Sequence, residues 1–148
     1  VVEAVGHGSM TSSDRSVELI VAASPESLAV LRTLVAAVAA FEDFDLDAIA
    51  DIRLAVDEAC TGLVRAAVPG SSLRVVVDPS NDAVVIRASA TCVADDSRGS
   101  AVVKPDSFGW HVLNSLADEV STFADEPAID GTQVLGVSLT SRRVSLQR

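Results

Sequence analysis

Two short runs hold the residues with the clearest capacity for chemistry. Residues 54–62, Leu-Ala-Val-Asp-Glu-Ala-Cys-Thr-Gly, carry a helical pattern and set the Glu58 carboxylate on one face of that helix. A carboxylate so placed can act as a general base towards a hydroxyl or a water. Gly62, one turn on, shares that face and has no side-chain oxygen to offer a metal. Residues 107–109, Ser-Phe-Gly, open a later helix, where bare backbone N–H groups and the helix N-terminus can hold an anion. Taken alone, these features have plainer readings: Glu58 as a solvated surface residue and Phe108 as part of the core.

The elements that position these residues follow from periodicity. Residues 17–22 alternate as a strand, and Ser24-Pro25-Glu26 caps a first helix that runs to about residue 40 with Leu28, Leu31, Leu34, Val35 and Val38 at helical spacing. After the acidic connection at 42–45, Asp47 is the expected cap of a second helix, with Ile49, Ile52, Val56, Ala59 and Leu63 along one stripe and Pro69-Gly70 ending it. Asp51, Glu58, Gly62 and Arg65 cluster on another face. Residues 73–78 and 83–90 form a valine-rich hairpin around Pro-Ser-Asn-Asp, and residues 93–106 have the composition of a loop. A third helix over 108–117 and closing strands at 120–123 and 132–140 complete the order. That order fits an α+β two-layer sandwich with a mixed, mostly antiparallel sheet and helices on one face.

With 148 residues, 49% of them hydrophobic, the chain is long enough for one core and reads as a single domain over 11–148. Residues 1–10 lack an initial methionine, contain Gly-Ser before the only Met and read as an expression scar. No apolar run reaches bilayer length, which gives a cytoplasmic expectation. The net charge of −10 opposes direct binding to nucleic acid or an anionic membrane and suits a basic protein partner. Cys60 and Cys92, with the distant His7 and His111, match no zinc spacing. The two cysteines read as free thiols, with a redox switch as the alternative.

Taken together, the run 57–62, the Gly109 turn and Asp118-Glu119-Val120 resemble the RsbW-like anti-sigma factors and serine-protein kinases, a branch of the GHKL ATPases. The resemblance runs from Val17 to Arg142 and implies the GHKL layout, with Glu58 in the place of the residue that polarises the attacking group. It also implies a nucleotide pocket with parts replaced. Gly62 stands where the family has a metal-binding Asn, and residues 88–92 (Ala-Ser-Ala-Thr-Cys) stand where an Asp-x-Gly-x-Gly turn holds adenine. Asp95 or Asp96 would be displaced substitutes, one glycine of the phosphate loop survives as Gly109, and Gly131-Thr132 resembles the final Gly-Thr segment.

The implied nucleotide set is therefore Glu58, Gly62, Gly109 and Thr132, with ATP and Mg²⁺ as the cofactors in question and no protein-only metal site. The implied function is stress-response transcription control: a homodimer sequesters a sigma factor, contacted through Arg32, and gives it up to an anti-anti-sigma protein. An active serine-protein kinase acting on that antagonist is the alternative.

Overall fold

The computed structural model describes residues 3–4, 14–94, 104 and 106–144. The chain runs β1 (Glu3–Ala4), β2 (Val17–Ala22), a 3-10 turn (Pro25–Ser27), α1 (Leu28–Phe41), α2 (Leu46–Ala66), β3 (Ser72–Pro79) and β4 (Ala83–Val93). It continues through α3 (Phe108–Leu116), β5 (Glu119–Ala124) and β6 (Thr132–Arg142). The strands form one sheet in the order β1-β2-β3-β4-β6-β5, and every pairing is antiparallel, one step beyond the mixed, mostly antiparallel sheet expected. β1 lies inside the segment set aside as a scar, and Glu3 and Ala4 pair with Ile20 and Leu19, so that segment adds a short edge strand.

Local chemistry explains the element ends. Pro25 takes the first position of the 3-10 turn that leads into α1, where its missing N–H costs nothing. The cap of α2 is Asp45 and not Asp47: the Asp45 carboxylate accepts from Ala48 N at 2.8 Å, while Asp47 adds a negative charge in the first turn. Asp43, with φ of 64°, takes the left-handed turn between α1 and α2, a conformation a short polar side chain tolerates. β4 extends beyond its expected end because its pairing with β6 runs in register from Ala83 with Arg142 to Val93 with Thr132, while β3 gains Ser72 through Ala22 of β2 and Pro79 through Val84 of β4.

Alternation places Leu73, Val75, Val77, Val84, Ile86, Ala88, Ala90, Leu135, Val137 and Leu139 on one face, buried beneath the helices. α1 meets them with Leu31, Val35 and Ala39, and α2 with Ile52, Val56, Ala59, Cys60 and Leu63. α3 contributes Leu113. The helices therefore form one layer and the sheet the other, as the α+β sandwich requires.

The opposite face carries a cross-strand ion pair between Glu18 and Arg74, and the outer edge of the Phe123 ring occupies the space above Gly136. A Cβ at Gly136 would sit 2.1 Å from Phe123 Cζ, so the glycine is what lets the ring cover the strand. Gly136→Val should cost about 1–3 kcal/mol by expelling the ring. Adding Phe123→Ala should then cost much less than it does in the wild type, and denaturation of the four-member mutant cycle checks this coupling.

Candidate functional site at the seam of helices α2 and α3

Glu58 and Gly109, fifty-one positions apart in sequence, meet in space. A Cβ built on Gly109 would lie 3.2 Å from Glu58 Oε2, so the carboxylate rests against the first turn of α3. Ser107 caps that turn by accepting from Trp110 N at 3.1 Å, which fixes where the helix begins. The anionic Glu58 thus sits beside the positive end of the α3 dipole, and a glycine is the residue that allows so close an approach. Phe108, expected in the core, is instead 84% exposed beside this seam.

Gly62 is half-buried one turn further along α2. Asp57, the neighbour of Glu58, is engaged on the other flank: Arg32 of α1 donates Nη1 to Asp57 Oδ1 at 2.7 Å. The residue expected to meet a partner's carboxylate is thus already held by a carboxylate of its own chain. Neither residue signals the other in sequence, because the pair joins two helices across 25 positions.

Thr132 does not join this group. It opposes Val93 on the sheet face turned away from the helices, and its hydroxyl donates to Asp130 Oδ1 at 2.7 Å. That bond, with a second from Thr132 N at 3.0 Å, lowers the Asp130 pKa. Gln133, in register with the buried Cys92, is the residue of this segment that faces the helix side. The expected nucleotide set is therefore split, with Glu58, Gly62 and Gly109 along the α2–α3 seam and Thr132 apart. Asp95 and Asp96 lie outside the described residues.

Gly62 supplies no ligand and Asp57 is paired with Arg32, so among the described residues this seam offers Mg²⁺ one carboxylate, Glu58, and nucleotide phosphates would have to supply the rest of its shell. Among the described residues no group of three or more His, Cys, Asp or Glu comes together as a metal site. A small crevice between Ile52, Ala55, Ile86, Leu116 and Leu139 is apolar and has no charged residue in its lining.

The two cysteines are free and buried. Burial, aided by the Asp57 charge, pushes the Cys60 thiol up to about 12, and burial also raises Cys92. A thiol held neutral in this way is a poor nucleophile, which weighs against the redox alternative.

A two-layer α+β sandwich with a glutamate-bearing helix set against a glycine-opened helix defines a class, the histidine kinase-like ATPase domain, and the model of that family matches residues 21–135. Two curated relatives, the anti-sigma-F factors RsbW of Mycobacterium tuberculosis strains CDC 1551 / Oshkosh and ATCC 25618 / H37Rv, are each 55% identical to it over 136 residues. Each match spans 90% of this chain and 77% of the relative. The chain belongs to the histidine kinase-like ATPase family, in its RsbW anti-sigma factor branch. No helix among the described residues is long and apolar enough to cross a membrane.

Proposed function

We propose that the protein is an anti-sigma factor that sequesters its sigma factor by binding alone, with the α2–α3 seam kept as scaffold and not as a phosphoryl-transfer centre. The observation that carries this reading is the pairing of 55% identity to anti-sigma-F factors with a seam in which Gly62 replaces a metal ligand and Asp57 is tied to Arg32. Phosphoryl transfer depends on a positioned metal and phosphate, so Glu58 without them has little to act upon. Sequestration needs only a surface, and an acidic domain suits the basic, promoter-reading surface of a sigma factor. Release by an anti-anti-sigma protein then follows from mass action. A homodimer completes the proposal, with Arg32 offering the sigma factor the guanidinium N–H groups that it does not give to Asp57.

The test is calorimetric titration of the domain with a sigma factor of the F type, with and without Mg-ATP. Equal affinity in both conditions, unchanged in Glu58→Ala, is the expected result. A complex that forms only with Mg-ATP and is lost in Glu58→Ala would overturn the scaffold reading of the pocket, and transfer of labelled phosphate to a serine of the antagonist would support the kinase instead.

A further inference from the structure

The connection between β5 and β6, Asp-Glu-Pro-Ala-Ile-Asp-Gly at 125–131, joins two properties that rarely coincide. Its Ile129 is 109% exposed, more open to solvent than any other large apolar side chain among the described residues. Single exposed apolar residues are ordinary on protein surfaces. This loop is instead braced on both sides of its tip.

Asp125 N donates to Val134 O at 2.9 Å, and Gln133 Nε2 to Asp125 O at 2.9 Å. Ala128 N reaches Thr132 O at 2.7 Å, and Gly131 N returns to Ala128 O at 3.1 Å. Asp130 Oδ1 takes both the N–H and the hydroxyl of Thr132. Ala94 N ties the turn to the end of β4 through Gly131 O at 2.8 Å, and Gly131 supplies the required φ of +84°. Pro127 removes further backbone freedom just ahead of the tip.

A side chain presented on a braced loop loses little entropy when a partner closes over it, which is the condition for an anchor residue. The same connection carries three exposed carboxylates, Asp125 and Glu126 before the tip and Asp130 next to Ile129. The ligand chemistry is therefore an apolar pocket ringed by Lys or Arg. Nucleic acid and anionic membrane are repelled by the same carboxylates, which leaves a protein.

We propose that Ile129 and its acidic rim form a second docking point for the sigma factor, an apolar knob inserted into a basic-rimmed pocket on that partner. This rests on the anti-sigma reading above, and it assigns recognition to the β5–β6 connection, remote in sequence from Arg32 on α1.

The experiment measures sigma binding by wild type, Ile129→Ser and Glu126→Lys, with thermal unfolding alongside to show that these exposed substitutions leave the fold intact. Ile129→Ser should weaken binding about 10–30-fold, mainly through faster dissociation. Glu126→Lys should slow association several-fold and flatten its salt dependence. Wild-type affinity in Ile129→Ser overturns this proposal and leaves the anti-sigma reading standing. Absence of binding by the wild type overturns both.

Discussion

Replacing Arg143 by alanine should destabilise the domain by about 3 kcal/mol, because it strips a buried carboxylate of its main partner. Glu42, at the C-cap of α1, is 8% exposed, and among the described residues it is the only charged one so deeply buried. Arg143 Nη2 donates to Glu42 Oε1 at 2.7 Å, while Nη1 donates to the Glu42 carbonyl at the end of α1. Its Nε reaches Ser80 O at 3.0 Å, and its backbone N reaches Asp82 O at 2.9 Å.

The guanidinium also lies 4.9 Å from the centroid of Phe44. One side chain thus joins the segment after β6, the α1–α2 turn and the β3–β4 hairpin. Arg15 adds a second bond to Glu42 at 3.0 Å, but it is itself 45% exposed, so Arg15→Ala should cost no more than about 1 kcal/mol. Lysine at 143 keeps the charge and loses the fork, so Arg143→Lys should recover only part of the loss. Urea denaturation of the three variants separates these cases, and equal small losses for Arg15→Ala and Arg143→Ala would refute the central place of Arg143.

Leu63→Ala should cost about 3 kcal/mol, in the range for a buried leucine whose cavity cannot collapse. Leu63 is 0% exposed, on the α2 face that meets the sheet. Leu54, nine positions earlier on the same helix, is 57% exposed, and its truncation should stay within about 0.5 kcal/mol. The pair tests the orientation of α2 directly, because a rotation that lifted Leu63 from the sheet would also turn Glu58 away from Gly109. Comparable losses for the two leucines would mean that α2 packs differently from the arrangement described.

How much of this was legible in the sequence depends on the range of the interaction concerned. The α2 stripe through Ile52, Val56, Ala59 and Leu63 was readable because it is a periodic, local pattern with one face against a sheet. β2 was readable because Val17, Leu19 and Val21 alternate along it, loosely, with Ile20 as an apolar interruption. The cap of α2 was misplaced by two residues because Asp45 and Asp47 are chemically equivalent in sequence, and only the backbone, extended at Asp45, distinguishes them.

Glu58 and Gly109 could be named from motif resemblance, yet their contact is tertiary. Thr132 could be named in the same way, and strand parity, fixed by the pairing with β4, turned it to the other face. The Arg143–Glu42–Arg15 cluster left no trace, since its members are 27 and 101 positions apart and lie in no motif.

The position of β4 in the sheet has a consequence for synthesis. It pairs with β3 across a tight hairpin but with β6 only after α3 and β5 have been made, so its second edge stays unpaired while the chain emerges. That edge belongs to a long strand whose inner face carries Val84, Ile86, Ala88 and Ala90, the kind of template that recruits other chains. The clamp from Arg143 also waits for the same late segment. The nascent protein is therefore most exposed to misassembly over its final third, and a pause in translation before residue 132 would prolong the interval in which a chaperone has to cover β4.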